Sequence, residues 1–137
     1  MLKKSLTTLT LGLALLFGAT TLLTTAAKAE DAAATKKPLP KIYTAAETAT
    51  FKSLAKETLE ALAAGKQNEV IAKLTDLETA WDEKESTLKP KDETTWTALD
   101  KTLDKAISAL RSSHTDLEKG KAALEKLLKL LDETTKA

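Results

Sequence analysis

The chain contains no cysteine in 137 residues, which removes disulfides, thiolate nucleophiles and cysteine-held metals from consideration. It has one methionine, Met1, and one histidine, His114. Three prolines and four glycines leave little material for loops, and catalytic residues are disproportionately carried on loops. No glycine-rich phosphate loop is present, and no Ser, His and acid stand at a spacing that supports nucleophilic catalysis. Neither charge sign dominates, with 21 basic against 20 acidic residues, so the basic footprint of a nucleic-acid binder is missing. Together these absences predict a non-catalytic chain with no catalytic residue, no cofactor and no metal site.

What is present begins with a leader. Lys3 and Lys4 precede an uncharged stretch over residues 6–23, and Ala27-Lys28-Ala29 sets small residues at the two positions a signal peptidase reads. This is the three-part pattern of a secretory signal peptide over residues 1–29. An uncleaved anchor is the alternative, because the apolar run is long for a signal. Cleavage after Ala29 would leave 108 residues, enough for a single hydrophobic core. Lys3, Lys4 and Lys28 leave with the leader, so 18 basic residues remain against 20 acidic ones, a net charge of −2. No second apolar stretch of spanning length follows, so no membrane span is expected after cleavage. The expected location is extracytoplasmic, either periplasmic or secreted.

Residues 30–43 are rich in Ala and Lys and carry Pro38 and Pro40, which predicts a flexible leader. Residues 44–137 predict a helical-bundle domain, since their apolar residues recur at spacings of three and four. Thr44 and Glu47 form a capping box for a first helix with Phe51, Leu54, Ala55, Leu59 and Leu62 on its stripe, ending near Gly65. A second helix over residues 68–88 carries Val70, Leu74, Leu77, Trp81 and Leu88, and Pro90 disfavours helix at Lys89. A third starts near Asp92 and buries Trp96, Leu99, Leu103, Ala106, Ile107 and Leu110, with Ser112, Ser113 and His114 as its last turn. Thr115 and Glu118 predict a second capping box, opening a helix with Leu117, Leu124, Leu127, Leu128 and Leu131. Short connections make neighbours antiparallel, so the fold class is all-α, an up-down-up-down four-helix bundle. A three-helix bundle with a loose first helix is the alternative, because the first stripe is the weakest. Residues 74–83 align with 124–133, which fits two hairpins of one design as well as it fits shared helical periodicity.

Few residues point to chemistry. The Ser-Ser-His114 segment superficially resembles histidine phosphotransfer helices, but Leu117, Lys119 and Gly120 fall three, five and six residues on, where that family has Leu, Lys and Gly at two, three and four. A Met/His haem pair of the cytochrome b562 type would have to use Met1, which leaves with the leader. Glu78, Asp82, Glu85, Asp100 and Asp104 share helix faces, but Lys73, Lys84, Lys101 and Lys105 are interleaved, which favours local ion pairs over a cation site. Trp81 and Trp96 flank the Pro90 turn at similar levels and are expected to close one end of the core. With His114 they are the candidate ligand or partner contacts. Leu128, Leu130 and Leu131 cannot all face one narrow seam, so they predict either a wider buried stripe or a homodimer surface.

The pattern Leu74, Leu77, Trp81, then a short turn and Leu-rich helices, resembles small extracytoplasmic bacterial helical domains. Some of these are similar to the soluble helical segment of iron-permease-like proteins. The Arg-Glu-x-x-Glu iron motif of the permeases is absent, so the resemblance does not imply iron transport. The leader and the lack of catalytic groups predict an exported, non-catalytic helical bundle acting as a binding or interaction module, with an envelope protein or a small ligand as partner. The alternative is a small-ligand or metal carrier with a cavity inside the bundle.

Overall fold

A computed structural model describes residues 37–137. The signal peptide expected over residues 1–29, and the part of the leader before residue 37, lie outside the described residues. Four helices follow one another: α1 (Ala45–Ala63), α2 (Gln67–Leu88), α3 (Glu93–Arg111) and α4 (Leu117–Thr134), with a single 3₁₀ turn, Lys89–Lys91, between α2 and α3. α1 packs on α2 and α4, and α3 packs on α4 and α2, so the helices form a closed ring of four neighbours. The all-α four-helix bundle is therefore the fold, and the three-helix alternative does not describe it.

α1 joins the core through residues the apolar count undervalues. Its buried face is Thr48, Phe51, Ala55, Thr58 and Ala61, while Leu54, Leu59 and Leu62 flank it half-buried. Threonine is tolerated there because its hydroxyl finds a partner, in its own helix for Thr58 and across the bundle for Thr48. Thr58 Oγ1 donates to the Leu54 carbonyl at 2.7 Å, and Thr48 Oγ1 meets Thr135 Oγ1 at 3.0 Å. The same device serves Thr102, bonded to the Ala98 carbonyl at 2.8 Å, and Thr134, bonded to the Leu130 carbonyl at 2.8 Å.

The α1–α2 connection follows from one glycine. Gly65 has φ +69°, and the Gly65 and Lys66 N–H groups donate to the Leu62 and Ala61 carbonyls, each at 3.0 Å. This Schellman closure needs a left-handed residue. Gly65→Ala should therefore cost about 1 kcal/mol in chemical denaturation, although a Cβ there meets nothing within 4 Å. An unchanged midpoint would show the turn to be adaptable.

Two boundaries differ from the sequence expectation, at the end of α3 and the start of α4, and the end of α2 agrees with it. α2 ends at Leu88, as the spacing predicts, and Lys89 caps it with helical angles (φ −57°, ψ −43°), donating its N–H to the Glu85 carbonyl. Proline enters a 3₁₀ turn near its start, where its missing N–H is not needed, and the break comes at Asp92 (φ −165°, ψ 102°). α4 is capped by Asp116, not Thr115: Asp116 Oδ1 accepts from Lys119 N at 3.0 Å, whereas Thr115 Oγ1 donates back to the Ser112 carbonyl at 3.2 Å. Ser112, Ser113 and His114 lie beyond α3, which stops at Arg111. Leu117 consequently opens α4 one turn before the helix reaches the core and is 49% exposed rather than buried.

The leader is also tied down later in its course than expected. Ile42 and Tyr43 donate their N–H groups to the Thr134 carbonyl at 2.9 and 3.1 Å, and Lys136 N donates to the Tyr43 carbonyl at 2.8 Å. Tyr43 is buried at 1% exposure, so the predicted flexibility does not extend over residues 42 and 43. Its hydroxyl has no partner among the described residues, and burial, then the nearby Asp92 and Glu47 carboxylates, push it up to about 12. It stays neutral.

The capping box at Thr44 is present in full. Glu47 N donates to Thr44 Oγ1 at 3.3 Å, Thr44 N donates to Glu47 Oε2 at 2.9 Å, and Lys91 pairs with the same carboxylate. The Lys91 ammonium first, and the Thr44 N–H second, hold the Glu47 carboxyl down at about 2 instead of 4.5. Because the folded state favours the charged form, this contribution is complete above about pH 4.5 and is lost as pH falls toward about 2. Glu47→Gln should lower the melting temperature at neutral pH and flatten its fall below about pH 5. An equally steep acid limb in the variant would place the sensitivity elsewhere.

Candidate functional site

Trp81 and Trp96 meet as expected. Their ring centroids lie 4.1 Å apart at 16°, a stack, and Phe51 of α1 leans on Trp81 at 4.8 Å and 57°. Trp81 Nε1 donates to Asp100 Oδ1 at 2.9 Å. Both indoles are core residues, 3% and 2% exposed, with their faces taken by each other and by Phe51. They line neither of the two depressions between α3 and α4 described below.

The carboxylates on α2 and α3 are dispersed into separate contacts. Asp100 takes the Trp81 N–H, Glu78 Oε2 accepts from Arg111 at 2.5 Å, and Glu85 pairs with Lys89 at 2.8 Å. The ion-pair partners are not the interleaved lysines, since Lys73 reaches across to Glu57 of α1 at 2.6 Å. Asp104 stays closer to neutrality than an ordinary aspartate, through burial first and then the Asp100 and Glu78 charges. Among the described residues no three His, Asp or Glu side chains are placed to hold a metal.

His114 is exposed in the bend after α3, where Ser112 Oγ donates to its carbonyl at 2.7 Å. It stands at one end of a depression of about 800 Å³ between α3 and α4. Ser108, Ala109, Ala122 and Ala123 line the hollow, and Lys105, Lys119 and Lys126 stand beside them with Asp104 and Asp116. A second depression, of about 620 Å³, lies along the same seam and shares Lys105 and Lys126 with the first. It is bordered by Lys101, Glu93, Glu133, Leu130 and the leader residues Lys37, Pro38 and Leu39. The two make one groove running along α3 and α4.

Electrostatics set this seam apart. Ion pairs cross the α1–α2, α1–α4 and α2–α3 contacts: Lys73 with Glu57, Lys52 with Asp132, and Arg111 with Glu78. Among the described residues none crosses from α3 to α4, and Lys101, Lys105 and Lys126 have no acidic partner there. Sequence reasoning did not find the groove. Its only traces were the one-turn Lys101–Lys105 spacing and the small residues Ala109, Ala122 and Ala123, which cannot be paired before the two helices are placed side by side.

Leu128 and Leu130 flank Leu131 half-buried and pack against the core, which fits the wider buried stripe. No helix among the described residues is long and apolar enough to cross a membrane. Comparison with protein-family models, with curated proteins and with solved structures gives no match to this chain.

Proposed function

We propose that this chain is an exported, non-catalytic binding module that presents the α3–α4 groove to a partner in the bacterial cell envelope. The observation that carries it is the groove itself: a seam lined by alanines between rims of lysines and carboxylates, across which no ion pair runs among the described residues. The leader grammar of residues 1–29 supports the compartment. A small-ligand or metal carrier with its cavity inside the bundle is the less favoured alternative, because the Trp81–Trp96 stack and Phe51 fill the core where such a cavity would open.

The test is site-specific photo-crosslinking in an exporting host, with the photoreactive residue at Ala122 in the groove or at Thr79 on the exposed face of α2. The expected result is a defined crosslinked species from Ala122 and none from Thr79, on a secreted chain whose N-terminus is Glu30. Equal yields from both positions would sink the groove as the working surface. A chain retaining residues 1–29 in the membrane fraction would replace the secreted module with an anchored one.

A further inference from the structure

We infer that residues 37–41 form a hinged flap over one end of the α3–α4 groove, turning on the clasped pair Ile42 and Tyr43 and setting how much of the groove a partner can reach. The inference goes beyond the binding-module reading and rests on it only for what the flap regulates.

The local sequence makes this segment stiff. Pro38 and Pro40 fix their own φ angles and push the residues before them, Lys37 and Leu39, into extended backbone. Side chains alternate along such a stretch. Leu39 is accordingly half-buried, while Pro38, Pro40 and Lys41 on either side of it are exposed. Leu39 lines the depression together with Ala98 of α3 and Leu130 of α4, which are also half-buried.

The flap and its hinge are held by different forces. Ile42 and Tyr43 each donate an N–H to the Thr134 carbonyl, Lys136 N donates to the Tyr43 carbonyl, and the Tyr43 side chain is buried. No backbone hydrogen bond ties residues 37–41 to another described residue, and Pro38 and Pro40 have no N–H to give. Lys37 shares the lining with Glu93 and Glu133 but pairs with neither, and Glu133 has Lys129 at 3.9 Å on its own helix. The closed position therefore rests on the one leucine. Half-burial of a leucine is worth about a tenfold bias between closed and open. The clasp, with its three hydrogen bonds and a buried ring, outlasts that contact, so the flap opens while the clasp holds.

With the flap closed, the stretch from Lys105 and Lys126 to His114 stays open to a partner. With the flap open, the surface of Ala98 and Leu130 is added to it. A partner that needs the full length therefore binds about tenfold more weakly than it would to a chain without the flap.

Because the chain has no cysteine, a single introduced thiol reports its own surroundings. Ala98→Cys beside the flap and Ala122→Cys in the open hollow, each in the full chain, are labelled with a maleimide. Adding Leu39→Ser should speed labelling at position 98 about tenfold and change it at position 122 by less than about twofold. Pro38→Gly with Pro40→Gly should also speed it at position 98, because a looser segment gains more entropy on opening. In the Leu39→Ser variant the Ile42, Tyr43 and Lys136 amides should keep their protection from hydrogen exchange. An unchanged rate at position 98 would overturn the flap. Loss of protection at those three amides would overturn the hinge, since flap and clasp would then open as one unit. A photoreactive residue at Ala98 should crosslink the partner in higher yield when Leu39→Ser is added, and an equal yield would overturn the regulation. Flap-dependent labelling at position 98 with no crosslink from Ala122 would keep the flap and remove the binding module.

Discussion

Trp81→Ala should lower the free energy of unfolding by about 4 kcal/mol, seen as a fall in the urea midpoint at unchanged slope. The indole is 3% exposed and joins three helices: it stacks on Trp96 of α3 at 4.1 Å, carries Phe51 of α1 at 4.8 Å, and donates to Asp100 at 2.9 Å. Removing it leaves a void between rigid helices, and the loss of contacts adds to the transfer term. Asp100 is half-exposed and can be hydrated, so the packing loss dominates over the lost hydrogen bond. Domains of this size hold about 5–15 kcal/mol in total, so the variant would sit near the edge of stability. A cost below about 1.5 kcal/mol would mean that the stack does not support the fold. In the unaltered protein both indoles should emit to the blue of free tryptophan, and a water-like emission from the folded state would contradict the stack directly.

Gly120 is the second sensitive position. Alanine there should gain about 1 kcal/mol of helix propensity, yet Gly120→Ala is expected to destabilise by about 1–2 kcal/mol net. A Cβ at Gly120 would stand 2.3 Å from Leu110 Cδ2 and 2.5 Å from its Cγ. Turning the terminal methyls does not relieve a clash that includes Cγ, and Leu110 is itself 1% exposed. The close approach of α3 and α4 at this level is therefore set by the missing side chain. Leu110→Ala alone should cost about 3 kcal/mol. On that background Gly120→Ala has room, so its effect should reverse and become stabilising by up to about 1 kcal/mol. The resulting coupling of about 2 kcal/mol in a double-mutant cycle is the measurement, and additive effects would show that the two residues do not compete for space.

Much of the bundle was legible because helical period and caps are local. The stripes of α2 and α3, the Thr44–Glu47 box and the meeting of Trp81 with Trp96 all follow from residue spacing plus one short turn. The errors cluster where local signals compete. Thr115 and Asp116 both offer a cap, and the carboxylate takes it while the hydroxyl turns back to Ser112. Leu117 has the right spacing for the core and stands outside it, because periodicity says nothing of where a helix leaves the bundle. The threonines were missed since a hydroxyl counts as polar until its own helix satisfies it.

The sequence by itself determined the helices, their antiparallel order and the absence of cysteine chemistry, because these depend on composition and on contacts within about four residues along the chain. Only the tertiary structure decided which helices are neighbours, that Tyr43 is locked against the C-terminal residues 134–136, and that Lys101, Lys105 and Lys126 line one seam with Glu93 and Glu133. Those facts join residues far apart along the chain, as Tyr43 and Thr134 are. Charge and burial at such distances are fixed by how four amphipathic faces close on one another, and no local pattern carries that information.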